Sequence, residues 1–273
     1  MNKRDFLKAA GIVAVTAAAR PALGENGHEV VKNKEAGKGD ATYKKDVRAL
    51  EGKRWAMIVD TRVCEDGCTD CMDACHNAHN VPDLTVNPNK RIQNQEIKWI
   101  WKEGYENAFM VPHHELHYVS EKIRNRPFIT LCNHCDNPPC VQVCPTQATF
   151  KRKSDGIVMM DFHRCIGCRF CMAGCPYGSR SFNFWDPTPY LDKENFNPEF
   201  PTRQAGVVEK CNFCAERLAV GKMPACVLAC KKGALIFGDL EDHHSEVHKL
   251  LMETFTIKRK PELGTLPMVY YIV

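Results

Sequence analysis

Sixteen cysteines fall into four groups of four, and this pattern constrains the chain more than any other feature. The groups are CEDGCTDCMDAC (64–75), CNHCDNPPCVQVCP (132–145), CIGCRFCMAGCP (165–176) and CNFCAERLAVGKMPACVLAC (211–230). No cysteine lies outside them. Sixteen thiolates divide evenly into four sets of four, which is the number that a cubane iron–sulfur cluster binds.

The third group has the spacing C-x2-C-x2-C-x3-C-P. This is the bacterial ferredoxin ligand pattern, in which the fourth cysteine ligates a second cluster. The alternative is zinc, which two C-x2-C pairs can hold in a tetrahedral site. A triplet of thiolates followed by a fourth cysteine and a proline favours a four-iron cluster.

Two other uses of cysteine fit the pattern poorly. Covalent haem needs C-x-x-C-H, and in Cys71 to His76 three residues separate the two cysteines instead of two. A framework of eight disulfides is typical of small secreted domains with little core. This chain has 273 residues, 44% of them hydrophobic, so it can bury a core without disulfides.

The first 24 residues have the layout of an export signal. Lys3, Arg4 and Lys8 precede a mildly apolar run over residues 9–19, which is shorter than the roughly 20 residues that span a bilayer. KRDFLK resembles a twin-arginine motif with Lys3 in place of the first arginine. Because clusters are assembled in the reducing cytoplasm, a route for folded cargo fits this protein. We predict a signal segment over 1–24, cleaved or retained as a membrane-surface anchor; an ordinary amphipathic helix is the alternative.

The positive net charge comes mostly from this segment. The chain carries a formal charge of +4, and residues 1–24 contain four basic and one acidic side chain, or +3. The remainder is therefore near neutral at +1, which gives no electrostatic reason to expect nucleic acid as a partner.

Short apolar runs flank the cysteine groups and predict strands. They are RWAMIVD, PFITLC, AGVVEKC and GALIFGD, together with ATF and IVMMD around a Ser-Asp-Gly turn. We expect brief helices at Phe170 to Ala173 and at Ala215 to Val220. The fold class predicted is α+β, with two interleaved bacterial-ferredoxin-like units. A polar arm over 25–52 precedes this domain (53–273).

Two loop-rich insertions, at about 76–127 and 177–205, interrupt the repeat. They are rich in aromatic residues and histidine, including Trp99, Phe200 and His117. Cover packed over the clusters is the favoured interpretation, and a partner-docking surface is the alternative. His76 and His79 follow a cysteine group closely and are candidates to tune a cluster through hydrogen bonds to its ligands.

The four groups in this order, with the long middle interval of the fourth and the ending FGDLEDHHSEVHKLL…KPELGTLPMVYYIV, resemble the four-cluster iron–sulfur subunits of membrane-bound respiratory complexes. The resemblance covers nearly all of 55–273. Members serve molybdenum reductases, formate dehydrogenases, hydrogenases and nitrite-reducing systems. CEDGCTDCMDACHNAHNVP and EIKWIWKE most resemble the exported subunit of the Dsr complex of dissimilatory sulfur metabolism.

The resemblance also implies how the ligands are shared. Groups one and four would share two clusters, and groups two and three the other two. The implied sets are Cys64, Cys68, Cys71, Cys230; Cys75, Cys211, Cys214, Cys226; Cys144, Cys165, Cys168, Cys171; and Cys132, Cys135, Cys140, Cys175. Some relatives replace one cysteine of the third group and hold a three-iron cluster. Since all sixteen are present here, four [4Fe–4S] clusters are expected.

Iron with four thiolate ligands has no open position for substrate, so the chemistry expected is one-electron transfer without a catalytic residue. The resemblance implies a hetero-oligomer containing a quinone-reactive integral membrane subunit, a haem c subunit and a haem b–iron–sulfur module. We expect the subunit at the periplasmic or extracytoplasmic face of the membrane, attached peripherally. The alternatives are a catalytic oxidoreductase with a labile cluster and a structural zinc protein. No nucleotide-binding or nucleophile motif supports another enzyme class.

Overall fold

A computed structural model describes residues 48–84, 96–109, 111 and 113–273. The predicted signal segment and most of the polar arm lie outside these residues. The strands are β1 Trp55–Asp60, β2 Ile100–Glu103, β3 Phe128–Leu131, β4 Thr149–Lys151, β5 Val158–Met160, β6 Ser181–Phe182, β7 Val208–Glu209, β8 Leu235–Asp239 and β9 Val269–Ile272.

The α-helices are short. They are α1 Asp70–Ala78, α2 Tyr105–Phe109, α3 Glu121–Arg124, α4 Pro139–Gln142, α5 Phe170–Ala173, α6 Ala215–Leu218, α7 Ala225–Ala229 and α8 Glu246–Glu253. 3-10 helices occur at His113–Tyr118, Thr188–Tyr190 and Pro261–Leu263. Within the described ranges, none of the helices has the length and apolar character needed to cross a membrane.

The largest sheet has three strands in the order β8-β1-β9. β1 pairs antiparallel with β8 and parallel with β9. Because alternate residues of a strand face opposite sides, Met57 and Val59 enter the main core, whereas Ala56 and Ile58 enter a smaller core beneath α8. Burial on both faces explains why this strand is apolar throughout rather than alternating.

The C-terminal residues complete this sheet. The apolar C-terminal tail packs on the body of the protein as strand β9, which pairs with β1. The side chain of Tyr271 is fully buried, and its hydroxyl donates to the carbonyl of Ile129 at 3.1 Å. The tail therefore connects the β8-β1-β9 sheet to the antiparallel pair of β2 and β3.

The predicted strands around the cysteine groups are confirmed. β4 and β5 form the expected hairpin, and Gly156 in its turn has a φ of 76°. The helix predicted at Phe170 to Ala173 is α5, and the one predicted from Ala215 to Val220 ends earlier, at Leu218. The first insertion contains β2 and two short helices that its loop-rich sequence did not predict.

Two helix pairs carry many of the cysteines. α1 packs against α7, and α4 packs against α5. Each pair joins a helix from an early cysteine group to one from a later group, so residues far apart in the sequence meet. The first pair lies beside the β8-β1-β9 sheet, since α7 also contacts β8.

Candidate iron–sulfur centres

All sixteen cysteines lie in the described part of the chain, and all are free thiols. They meet in four sets. Within each set, thiols raise one another's pKa or line the same cavity. Site 1 contains Cys64, Cys68, Cys71 and Cys230. Site 2 contains Cys75, Cys211, Cys214 and Cys226. Site 3 contains Cys132, Cys135, Cys140 and Cys175. Site 4 contains Cys144, Cys165, Cys168 and Cys171.

Helix geometry explains how one helix serves two sites. Cys71 and Cys75 are buried on α1, four residues apart and so about one turn, or ~5.4 Å, apart along the axis. Cys71 belongs to site 1 and Cys75 to site 2. On the facing helix α7, Cys226 lies beside Cys75, and Cys230, just beyond the helix end, lies beside Cys71. The C-x3-C spacing therefore distributes its two thiols between neighbouring sites.

The other helix pair repeats this arrangement. Cys140 on α4 belongs to site 3, and Cys144, four residues later, belongs to site 4. Cys171 on α5 belongs to site 4, and Cys175 belongs to site 3. Each pair of groups thus builds two sites by exchanging its last cysteine.

Each cysteine group also has the same local turn. The residue just before the second cysteine has a positive φ in all four groups: 75° at Gly67, 41° at His134, 70° at Gly167 and 54° at Phe213. A left-handed residue reverses the chain, so that the two thiols flanking it face the same point. Only glycine fits at 167, where a Cβ would lie 2.5 Å from the carbonyl oxygen of Gly206.

Burial and mutual repulsion both act on these thiols. Burial, and then the neighbouring Cys230, raise the pKa of Cys71 to about 12. Burial, and then Cys132, raise the pKa of Cys135 to about 12. In site 2, burial followed by Cys226 holds the pKa of Cys75 well above its usual range. Four crowded thiolates repel one another, and a bound cationic centre removes that repulsion.

Backbone N–H groups are aimed at several sulfurs. Ala234 N donates to Cys230 Sγ at 3.2 Å, and Ala225 N donates to Cys214 Sγ at 3.4 Å. At Cys144, burial raises the pKa of the thiol, but hydrogen bonds from Thr149 N and from Thr146 lower it more. Donors of this kind stabilise a negative sulfur and tune the potential of a metal–sulfur cluster.

The four sites form a row. Cys71 of site 1 acts electrostatically on both Cys75 and Cys226 of site 2. Cys132 of site 3 raises the pKa of Cys211 of site 2. Cys140 of site 3 raises the pKa of Cys171 of site 4. The order is therefore site 1, site 2, site 3, site 4.

His79 lies beside site 2, as the sequence suggested. Its Nδ1 is 2.7 Å from the carbonyl oxygen of Cys75 and 3.7 Å from Cys75 Sγ, and its Nε2 is 2.9 Å from Glu216 Oε1. Burial raises the pKa of Glu216, but hydrogen bonds from His79 and Asn212, together with the charge of His79 and a backbone hydrogen bond, lower that pKa overall. His76 makes no such contact: its Nε2 is buried with no hydrogen-bond partner among the described residues. An effect of His79 on a cluster stays a prediction.

The second insertion fixes His79 in place. Arg203 donates to the carbonyls of His79 and Asn80, and its guanidinium pairs with Glu209 at 2.9 Å with both side chains fully buried. The indole of Trp99 stacks on His79, with ring centroids 4.5 Å apart, and donates to Glu209 at 2.6 Å. Trp99 and Phe200 are therefore packed cover, whereas Tyr118 and Trp185 of the two insertions are exposed.

Sequence analysis missed the buried charges around the sites. Arg180, Arg203 and Lys210 are each at most 5% exposed. A basic residue directly before a cysteine, as in Glu209-Lys210-Cys211, is a signal that could have been noted. Its burial is not visible in sequence, because most lysines are solvated.

The donor set fits [4Fe–4S] clusters. Each site offers four sulfur atoms and a largely apolar, buried surrounding, and N–H donors point at several of the sulfurs. No site in the described residues lacks a fourth thiol. Fold and sites together define a ferredoxin-like iron–sulfur protein of the α+β class.

Comparison with known proteins agrees. A family model described as a 4Fe-4S dicluster domain matches residues 126–187 and 195–240. Hdr-like menaquinol oxidoreductase iron-sulfur subunit 1 of Archaeoglobus fulgidus is 38% identical over 99% of this chain and 97% of its own. The iron-sulfur cluster-binding subunit of menaquinone reductase of Nitratidesulfovibrio vulgaris is 35% identical over 80% of this chain and 88% of its own. Protein NrfC of Escherichia coli is 32% identical over 99% of this chain and 95% of its own. The chain belongs to the family of iron–sulfur subunits of respiratory complexes.

Proposed function

We propose that this chain is an electron-transfer subunit that relays single electrons through four [4Fe–4S] clusters. Sites 1 to 4 would each hold one cluster through four thiolates. When bound, such a cluster accepts and releases one electron at a time. The residues of the chain bind the clusters, exclude water and set their order, and none is assigned a catalytic role.

The row of sites is the observation that carries this proposal. Cys71, Cys75, Cys132 and Cys211, from sites 1 to 3, lie in one buried cluster, and the contact of α4 with α5 joins sites 3 and 4. In each neighbouring pair of sites, a thiol of one site raises the pKa of a thiol of the other. The two inner sites are mostly buried, whereas the end sites reach the surface: Cys168 of site 4 is exposed, and Cys64 and Cys68 of site 1 are partly exposed. An insulated interior with two accessible ends suits a relay between two partners.

A catalytic oxidoreductase is the weaker alternative. It would need an iron with an open position, and every site has four thiols. The residues His79, Cys214 and Glu216 come close enough to hold a metal ion. However, Cys214 belongs to site 2, and His79 and Glu216 pair with each other.

We further propose that the electrons pass between a quinone-reactive membrane subunit and other redox subunits. Two relatives are named as subunits of a menaquinol oxidoreductase and a menaquinone reductase, which supports quinone chemistry in the complex. The motifs around Cys64 and Trp99 favour a Dsr-type complex with haem c and haem b partners. Export by a twin-arginine-like route would place the subunit at the extracytoplasmic face of the membrane.

Cluster content tests the central proposal. The anaerobically purified chain should contain about sixteen iron and sixteen sulfide atoms, four of each per cluster. Stepwise reduction should develop EPR signals from four interacting centres. Zinc in place of iron, or a count near eight iron atoms, would refute the four-cluster assignment.

Co-purification tests the complex. A tagged chain should be recovered from solubilised membranes with an integral membrane subunit and haem-containing subunits. Recovery with a molybdenum-containing, hydrogenase or nitrite-reducing partner would instead identify another complex of the same family.

A further inference from the structure

Arg180 is a buried cation on the wall of site 3. The cavity that the four thiols of site 3 line is also lined by Arg180, which is 5% exposed. Its Nη1 donates to Thr149 Oγ1 at 3.2 Å. Its Nη2 is buried and has no hydrogen-bond partner within the described ranges. One side of this guanidinium is therefore available to a negative group in the cavity.

Lys210 is a second buried cation, and it lies between sites 2 and 3. It is 1% exposed, and its Nζ donates to the carbonyls of Val158 and Cys211, the latter at 2.7 Å. Val158 lines the cavity of site 3, and Cys211 belongs to site 2. The ammonium thus reaches the boundary between the two inner sites.

Neither cation has a carboxylate partner. Among the residues that the structure describes, Arg180 and Lys210 take part in no ion pair, whereas the buried Arg203 is paired with Glu209. A buried charge that is paired only with carbonyl groups is unfavourable. The charge that compensates these two cations must come from the thiolates they approach.

Contacts around His134 show that both cations border site 3. His134 lies between Cys132 and Cys135 of site 3 and stacks on Phe213 of the site 2 loop, with ring centroids 3.7 Å apart. Its Nδ1 accepts from Val158 N at 3.2 Å, and the carbonyl of Val158 accepts from Lys210 Nζ. Val158 and Arg180 line the same cavity, that of site 3.

Both buried cations border site 3, whereas only one of them borders each neighbouring site. Arg180 also reaches site 4, because Thr149, to which it donates, lines the site 4 cavity. The other cations near the end sites are screened. Arg169, which lines site 4, is exposed. Lys102, which lowers the pKa of Cys64 in site 1, is partly exposed and donates to the carbonyl of Glu65. Solvent and salt weaken such charges much more than buried ones.

We infer that Arg180 and Lys210 are fixed counter-charges that make site 3 the position in the row where an added electron is most stable. This inference rests on the proposed function, in which site 3 holds a cluster. With clusters bound, transfer to site 3 would oxidise the cluster at site 2 or site 4 by one electron and reduce the cluster at site 3 by one. The transfer itself moves no proton, and the two cations would offset part of the negative charge of the reduced site. Their attraction is strong because the interior screens charge poorly.

Redox titration followed by EPR tests the inference on the cluster-loaded chain. Lys210→Met and Arg180→Met remove one charge each, whereas Lys210→Arg and Arg180→Lys keep it. Lys153→Met, at an exposed turn, is the control. Both charge-removing variants should lower the midpoint potential of the same centre by at least about 59 mV. For one electron this is a tenfold change in the equilibrium constant of its reduction. The charge-keeping and control variants should shift it by much less.

A second measurement needs no substitution of the cations. Cys135→Ala should remove the EPR signal that has the highest midpoint potential in the unmodified protein. Retention of that signal, or loss of a lower-potential one, would overturn the inference, as would unchanged potentials in the methionine variants. Iron analysis separates the two hypotheses: fewer than four clusters in the unmodified chain refutes the proposed function, whereas four clusters without these shifts refutes only the role of Arg180 and Lys210.

Discussion

Cys230 lies beside Cys71, although Cys226 on the preceding helical turn lies beside Cys75. The two thiols at the end of the fourth group are thus divided between sites 1 and 2. The contact of α7 with α1 produces this division, because each helix presents one thiol per turn to its neighbour. Cysteines that are neighbours in sequence therefore belong to different sites.

The first prediction tests this division. Cys230→Ala should perturb the same EPR signal as Cys64→Ala, because both would remove a ligand from site 1. Cys226→Ala should match Cys75→Ala, because both would remove a ligand from site 2. EPR of the four reduced variants, with iron analysis, makes the comparison. If the Cys226 and Cys230 variants lost one common centre, the interleaved arrangement would have to be abandoned.

A second prediction concerns the buried pair of Arg203 and Glu209. Arg203→Met should lower the free energy of unfolding by about 3–5 kcal/mol, because it leaves a buried carboxylate without its partner. It should also release the carbonyls of His79 and Asn80 that Arg203 binds. Anaerobic urea titration measures the loss.

The pair of Arg62 and Asp60, in which the arginine reaches the surface, provides the control. Asp60 has a lowered pKa, first because Arg62 hydrogen-bonds to it, but the arginine side chain is half exposed. Arg62→Met should therefore cost at most about 1 kcal/mol. Equal losses of unfolding free energy in the two variants would show that burial does not make the Arg203–Glu209 pair more important for stability.

Tyr271 allows a third prediction, on the C-terminal strand. Tyr271→Ala should destabilise the protein by about 3–5 kcal/mol, as expected for emptying a buried aromatic position. Tyr271→Phe should cost about 1–3 kcal/mol, because it leaves the carbonyl of Ile129 without its donor. Unfolding followed by tryptophan fluorescence reports both values.

Tyr118→Ala is the matched control for Tyr271, since Tyr118 is 91% exposed. It should change the unfolding free energy by about 0.5 kcal/mol or less. Deletion of Leu266–Val273 should be more damaging than any single substitution, because it removes a whole strand of the three-stranded sheet. Unchanged stability of the deletion variant would contradict the importance of β9.

The fourth prediction addresses export and concerns Arg4, outside the described residues. If KRDFLK is a twin-arginine-like signal, Arg4→Lys should leave cluster-loaded protein in the cytoplasm. Cell fractionation with iron analysis of each fraction detects this. Arg20→Lys, which is the same substitution outside the motif, should be exported normally. Normal export of the Arg4 variant would count against this route.

Much of the local structure follows from the sequence alone. The cysteine groups identify the metal chemistry, because few other uses of sixteen thiols fit such spacings. Apolar runs such as RWAMIVD predict strands, and β1 confirms that one. These features depend on side-chain pattern over a few residues, so no long-range information is needed. The ligand sets came from resemblance to a family rather than from spacing.

Other features needed the tertiary structure. Both Lys210 and Lys153 are lysines near cysteine groups, yet one is buried between two sites and the other is exposed on a turn. Helix packing decides which thiols of a C-x3-C pair meet, and chain crossings decide which cations lose their solvent. Burial and proximity arise from contacts between segments far apart in the chain, so composition and periodicity do not contain them. The sequence determines that this protein binds iron–sulfur clusters, whereas the packing of its segments decides the order of the sites and which of them the buried cations approach.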